Sequence, residues 1–427
     1  MIRLGLRAFS PCRGENFPKS IKDENMAKSK VSIVGMERSE SFRSIKEGVE
    51  KALDLIGGLR GLVKLGQKVL INPSWVAPPV EPEKGCITQV EVTEAVAEII
   101  RELGAHPIIA ESSAVGVDSQ KIIEASSYRN LIRKGYKVVD LRGTEIVKVP
   151  VPKGKVFKEI ETYRVVREAD MIIPVPKLKT HDQTEITCSI KKIKGLLSDK
   201  YKKLMHQEGL FEGVVDFLSI LRPQVTVVDA VCCQEGLGPV FGRPVRMDLV
   251  LAGKDLVAVD AVAGRLIGFD PGEVPLTQKA FERGLGTADL EEIEILGLPL
   301  QKVQRRFMRS VEDDPVHMEG FNLIHGGVTC TGCRNTVMSA LVDMRNAGQL
   351  EYLSGITVIT GDPEIPQRAT PASIVSVGKC VPEGKRGKNY VRGCPPNNAY
   401  VVQAIIGERA KAKRMYAEGG LEAEEEK

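Results

Sequence analysis

The sequence predicts an α/β protein: a mostly parallel, doubly wound sheet followed by a smaller, cysteine-ligated C-terminal subdomain. Three observations predict it. From Lys30 onward, short apolar runs alternate with amphipathic stretches at three-to-four-residue spacing. Polar residues of chemical interest fall just after the apolar runs, where ligands gather in parallel sheets. Four cysteines then cluster beyond a change of composition near His317.

The elements follow in order. Val31–Val34 reads as a strand, and Phe42, Ile45, Val49, Ala52 and Ile56 form one helical stripe. Lys68–Ile71 is a buried strand stopped by Asn72-Pro73. Val92, Val96, Ile99, Ile100 and Leu103 mark a helix that Gly104 ends. Pro107–Ala110, Val138–Leu141, Met171–Val175, Val225–Val228 and Leu249–Ala252 continue the strand series, with helices near Phe211–Leu221 and Asp255–Leu266. Strand and helix alternating at this spacing indicate a parallel sheet covered on both faces. Asn72, Glu111, Pro176 to His181, Asp229 and Gly253 all follow strands, so one shared cleft is expected. Residues 26–310 are assigned to this α/β domain and 311–410 to the cysteine subdomain. A helix through Val337, Leu341 and Met344 and another after Pro395-Pro396 belong to the latter. Residues 1–25 lack a secretory core and read as a leader or an over-long gene start, and 411–427 as a charged tail.

Composition narrows the function. The chain has 427 residues, 42% hydrophobic and 27% charged, which is a soluble globular balance. A net charge of +4 from 60 basic and 56 acidic side chains, with one Trp and 11 Phe, argues against nucleic acid. No apolar run approaches a membrane span of ~18 residues. The expectation is a cytoplasmic protein with no membrane span.

Nine cysteines form no disulfide framework. Cys330 and Cys333 make a CxxC pair, and Cys380 and Cys394 arrive separately as Gly378-Lys379-Cys380 and Gly393-Cys394-Pro395-Pro396. Glycine permits close backbone approach to sulfur, and proline keeps the next residue out of regular structure. Four thiolates suit a four-iron cluster or tetrahedral zinc. Structural zinc sites usually pair two short knuckles, and only one exists here, which favours 4Fe-4S, with zinc or unconnected thiols as alternatives. Cys232 and Cys233 are adjacent, and buried small hydrophobes describe them better than metal ligands.

The second constellation is the segment from Pro174 to Leu197. Lys177, Lys179, Thr180 and His181 follow two prolines in what reads as irregular, extended backbone, and Lys191, Lys192 and Lys194 add cations before Gly195. Lysine suits carboxylate or phosphate, and histidine titrates near neutral pH. Lys179, His181 and Glu235 are therefore candidate catalytic residues, and Lys177, Thr180, Lys191 and Lys192 candidate anion-binding ones. The competing reading of the lysines is a solvated basic face. Glu235, in the turn-forming run Glu235-Gly236-x-Gly238-Pro239, is a carboxylate that could orient His181; Asp255 reads more simply as a helix N-cap.

Several of these runs resemble the family known as domain of unknown function 362. They are Pro176-Lys177-Leu178-Lys179-Thr180-His181 with its continuation from Thr184 to Gly195, Asp229 through Pro244, Val257-Ala258-Val259-Asp260, and Gly268-x-Asp270-Pro271. The resemblance implies a prokaryotic protein with a ligand cleft, and relatives in which cysteines hold iron–sulfur clusters, often in an appended ferredoxin module. The ferredoxin run CxxCxxCxxxCP is absent here, and Ile71-Asn72-Pro73-Ser74 stands where members commonly show Lys-Pro-Asn. The family name specifies no reaction.

The leading functional expectation is an iron–sulfur protein of redox chemistry or electron transfer, whose Lys/His cleft takes a small anionic substrate or whose surface meets a redox partner protein. No GxGxxG and no GxxxxGK[ST] marks a nucleotide site. The alternative is a non-redox racemase, isomerase or hydro-lyase acting on a small carboxylic or hydroxy acid. A second alternative is a zinc-stapled binding or accessory module.

Overall fold

The computed structural model describes residues 28–37, 41–78, 80–310, 318–367 and 369–407. The expected leader, the expected charged tail and His317 lie outside the described residues.

The strands, in chain order, begin with β1 (Ser29–Gly35), β2 (Lys68–Pro73), β3 (His106–Glu111), β4 (Lys137–Asp140) and the hairpin β5 (Ile146–Pro150) and β6 (Glu159–Tyr163). They continue with β7 (Met171–Val175), β8 (Lys177–His181), β9 (Glu185–Thr187), β10 (Thr226–Glu235), β11 (Arg243–Gly253) and β12 (Ile293–Gly297). The C-terminal region adds β13 (Asn322–His325), β14 (Thr357–Thr360), β15 (Ile374–Val377) and β16 (Asn389–Val391).

The fold is α/β with mostly parallel pairing, but the strands divide among sheets. β4-β3-β2-β7 form a wholly parallel sheet. Its faces feed two cores: Leu70 packs into one, Val69 and Ile71 into the other. Burial on both sides explains why β2 and β7 read as continuous apolar runs. The second sheet, β12-β1-β11-β10-β8-β9, is mixed. Here β10 and β11 are antiparallel, not members of the parallel series the sequence suggested. The reason is length, because the link between Glu235 and Arg243 is too short for a parallel crossover of a dozen or more residues.

Helices seal the layers as their stripes require. The helix Phe42–Leu55 starts at the Ser41 cap and buries Ile45, Val49, Ala52 and Leu53. The helix Val90–Glu102 is followed by Gly104 at φ +76°, the left-handed stop glycine adopts without strain. Asp255 caps the helix Leu256–Leu266, its Oδ1 accepting from the N–H groups of Val257 at 2.9 Å and Ala258 at 3.1 Å.

The C-terminal subdomain is a parallel sheet, β13-β14-β15-β16, covered by the helices Thr331–Asn346 and Asn398–Ile406. Val337, Leu341 and Met344 pack there with Val358, Val375, Val401 and Ile405. It docks on the α/β domain through polar contacts. Gln183 Nε2 donates to Thr336 Oγ1 at 3.0 Å and to the Pro396 carbonyl at 2.9 Å, and Asn335 Nδ2 donates to Glu185 Oε1 at 3.2 Å.

Candidate functional site

The prolines do carry the chain out of a strand, but not into irregular backbone. Pro174 ends up inside β7, opposite Asn72, and after Pro176 the chain enters the second sheet as β8. Residues Lys177 to His181 then pair with β9 and β10 and are all buried.

This crossing of sheets splits the lysines by role. Lys177 is fully buried, with Nζ 2.6 Å from Asp229 Oδ2, and lies outside the cavity described next. Asp229 also accepts from the N–H groups of Gln89 and Val231, so the pair is a locked strut inside the fold. Thr180 turns to the turn after β10, donating to the Gly236 carbonyl at 2.7 Å. Glu235 is likewise away from the cavity, where its Oε2 accepts the Met308 N–H at 3.0 Å. The structure therefore does not bring Glu235 to His181.

Lys179 and His181 do line a common cavity, about 240 Å³ of water-accessible space between the two domains. Lys191, Lys192, Lys194 and Lys202 share its walls. Lys179 Nζ donates to the carbonyls of Cys86 at 2.6 Å and Pro239 at 2.9 Å, both neutral acceptors. Burial, reinforced by the charges of Lys191, Lys177 and Lys192, pulls its ammonium down to about 7. Lys192 is the paired member, bonded to Glu111 Oε2. Glu111 also accepts from Asn72 Nδ2 at 2.7 Å, so Asn72 anchors this carboxylate.

The remaining cations have weaker compensation. Lys191 makes no hydrogen bond or ion pair among the described residues, and burial lowers it to about 8 against the pull of Asp182. Lys194 Nζ lies 2.6 Å from His206 Nε2, and burial with the charges of Lys191 and Lys202 lowers it to about 7. Burial likewise holds Lys202 at about 8, where Nζ donates to the carbonyls of Ser112 at 3.0 Å and Ser113 at 2.8 Å and pairs with Asp199. His206 is held neutral by burial and by Lys194.

His181 is neutral as well, pushed down to about 4 by burial and then by Lys191. Its Nδ1 accepts the Gln183 N–H at 3.0 Å, which assigns the ring proton to Nε2. Asp182 Oδ1, 2.8 Å from that same Nδ1, is left without a donor.

Of these residues, sequence reasoning singled out Lys179, His181, Lys191 and Lys192, and noted Lys194 only as a further cation. It missed Lys202 and His206 as cavity residues, although their i, i+4 spacing on the helix Asp199–Glu208 puts them on one face. Asp182, Asp343 and Asn398, which also line the cavity, carried no local signal.

The four C-terminal cysteines gather beside this cleft. Cys330 is the N-cap of the helix Thr331–Asn346, and its thiol is drawn down to about 6 by the Cys333 thiol and by backbone N–H groups of Cys333 and Gly332. Cys333 is driven up by Cys330, burial and the nearby Cys394 and Cys380, and Cys394 by burial, Cys330 and Cys380. Gly378, at φ +98°, sits where an added Cβ would lie 2.7 Å from Cys333 Sγ. Backbone N–H donors at the Cys330 thiol and a glycine that leaves room for the Cys333 sulfur are features that a metal-cluster cradle requires. Among the described residues, no three His, Cys, Asp or Glu side chains converge on one metal-ion position. Cys86, Cys188 and Cys233 are buried elsewhere as free thiols.

Comparison with known proteins agrees with part of the resemblance. The profile of the family Domain of unknown function (DUF362) matches residues 69–265, which contain the cavity lysines, His181 and His206 but none of the four C-terminal cysteines. The thylakoid-associated protein sll1697 of Synechocystis sp. is 29% identical over 262 residues, 59% of this chain and 79% of that protein. Among solved structures, the lactate racemase apoprotein from Thermoanaerobacterium thermosaccharolyticum aligns over 90% of this chain and 92% of that one, with 12% identity and a TM-score of 0.35. A likeness that loose carries no argument about function.

Proposed function

We propose that the interdomain cleft binds a small anionic substrate and that the C-terminal cysteines hold a 4Fe-4S cluster beside it, making the protein a redox or electron-transfer iron–sulfur protein. The observation that carries the cleft is the imbalance of its walls. Lys179, Lys191 and Lys194 face one cavity with no carboxylate bonded to any of them. Lys179 is buried and Lys191 and Lys194 are half-buried, positions in which an ammonium without a bonded counter-charge is costly, and a bound carboxylate or phosphate offsets that cost. Lys179 and Lys194 would fix the anion while Lys191 supplies a charge that Asp182 and Glu111 offset only in part. His181, with its proton on Nε2, would donate to the substrate.

The cluster rests on the donor set. One CxxC pair and two separate thiols, with Gly378 opening space at Cys333, suit several irons better than the paired knuckles of structural zinc. Held there, a 4Fe-4S cluster would supply one-electron chemistry. The eight described cysteines are all free thiols, which supports a reducing, cytoplasmic setting. No helix among the described residues is long and apolar enough to cross a membrane.

A second reading has its own observation. His181 beside Asp182 and the Lys194–His206 pair both border the cavity, so two proton-handling groups meet one substrate, as a racemase or isomerase requires.

Anaerobic purification with iron and sulfide analysis tests the cluster, and melting curves with inorganic phosphate or succinate test the cleft. About four irons and four sulfides per chain, with colour bleached by dithionite, are expected. Zinc instead of iron would overturn the redox reading, and no anion-induced stabilisation would overturn the cleft.

A further inference from the structure

The same cavity has an acidic group that an anion site alone does not need. Asp343, on the helix Thr331–Asn346, lines it and is only 8% exposed. Its Oδ2 accepts from Asn398 Nδ2 at 2.7 Å, which ties together the two helices of the C-terminal subdomain. Its Oδ1 is buried and has no hydrogen-bond partner among the described residues. Asp182 Oδ1, from the end of β8, is in the same condition. The two carboxyls feel each other: burial, and then the charge of Asp182, raises Asp343 to about 7.

A buried carboxylate oxygen with no donor is costly, because the water it lost on burial has not been replaced. No cation among the described residues bonds to either free oxygen. Lys192 is held by Glu111, Lys179 and Lys202 by backbone carbonyls, and Lys191 and Lys194 act on Asp182 only through charge. Two acceptor oxygens thus stay without donors in a cavity that also holds lysines with no bonded carboxylate, and one of the two, on Asp343, comes from the other domain. A ligand with both kinds of group would satisfy both.

We infer that the cleft selects an anion whose skeleton also carries a hydrogen-bond donor, a hydroxyl or ammonium group, and that Asp343 Oδ1 accepts from it. This rests on the anion-cleft reading and adds a specificity-determining residue supplied by the C-terminal subdomain. The α/β domain holds the anionic end, and Asp343, braced by Asn398, reads the substituent. An ammonium group can serve Asp182 Oδ1 as well, and a hydroxyl serves one aspartate.

The test is binding of matched acids to the full chain, by calorimetry or melting shift: propanoate, lactate and alanine in one series, succinate, malate and aspartate in the other. A 2-hydroxy or 2-amino acid binding about tenfold or more tighter than its unsubstituted parent, in either series, is the expected result, because a site built for a donor discriminates strongly against its absence. Asp343→Asn keeps an oxygen for Asn398 but presents an amide where the acceptor stood, and should abolish that preference, read as the ratio of substituted to parent affinity in the variant against the same ratio in wild type. Should that variant fail to fold, the wild-type series still decides. Parents binding as tightly as substituted acids would overturn the inference and leave the anion cleft standing. If no member of either series binds, both are overturned. Preference that survives in a folded Asp343→Asn protein removes Asp343 from the role.

Discussion

The carbonyl of His206 accepts the backbone N–H of Cys394 at 2.9 Å, while the ring of the same histidine meets Lys194 in the cleft, Nε2 to Nζ 2.6 Å. Leu210 N–H returns a bond to the Cys394 carbonyl at 2.7 Å, and Lys379 reaches Glu208 at 2.6 Å. One short stretch of chain, the end of the helix Asp199–Glu208, therefore touches the cysteine set on one side and the interdomain cavity on the other.

Those contacts are made by backbone, so they predict separable functions. Cys394→Ser retains the N–H that holds His206, and the cleft should keep its shape. Iron and sulfide should be largely lost from the purified variant, while stabilisation by succinate or phosphate matches wild type. Cys188→Ser, at a buried thiol outside the set, should keep its iron. Full iron in Cys394→Ser would remove Cys394 from the ligands.

Lys177 gives a contrasting prediction. Its ammonium and the Asp229 carboxylate are both fully buried and 2.6 Å apart. Lys177→Met leaves Asp229 charged and unpaired, at a cost on the order of 3–5 kcal/mol. A marked drop in melting temperature is expected, with anion affinity of the surviving folded protein little changed. A stable variant with lost anion binding would return Lys177 to the site.

How far the sequence foretold this is clearest at Lys177. Apolar runs located seven of the twelve described strands of the α/β domain, and Met171–Val175 matches β7 residue for residue, because strands buried on both faces leave continuous hydrophobic signatures; the hairpin β5–β6, β8, β9 and β12 gave no such run. The KLKTH run was visible as chemistry, but extension alone could not show that β8 passes between two other elements of the fold and buries Lys177 against Asp229. Glu235 failed for a related reason: it is the last residue of β10, paired with Arg243, not part of a turn after the strand, and the hairpin to β11 directs it to Met308. Asp343 and Asn398 were beyond reach, since they meet the cavity only when the second domain docks. The cysteines were legible because their CxxC spacing and glycines are local, and the helix N-cap at Cys330 falls where that spacing begins.

Lys191 carries the next prediction. It faces the cavity with no bonded partner among the described residues, and Asp182 offsets its charge only in part. Lys191→Met replaces a poorly solvated ammonium by an apolar chain of similar length. The ligand-free protein should melt about 1–2 °C higher, since removing a half-buried charge that is only partly offset is stabilising. Succinate or phosphate should bind about tenfold more weakly, as expected when one charge-assisted bond is lost. Calorimetry on the two proteins reads both effects, and unchanged anion affinity would take Lys191 out of the site.

The pH dependence follows from the same lysines and has opposite signs for stability and binding. Lys179 and Lys194 are lowered to about 7, Lys191 and Lys202 to about 8, from an ordinary lysine value near 10.5. Between those values and 10.5 the unfolded chain holds more protons than the folded one, so folding stability rises with pH across that window. Below pH 7 all four are protonated in both states, and their penalty is fully present. The anion needs the protonated forms, so its affinity falls as pH rises through 7 to 8. Melting temperatures without ligand should therefore climb from pH 7 towards 9.5, while the added shift given by succinate or phosphate shrinks over the same range. Lys194→Met should flatten both slopes. A ligand-induced shift that grows with pH would mean that the anion is held by other groups.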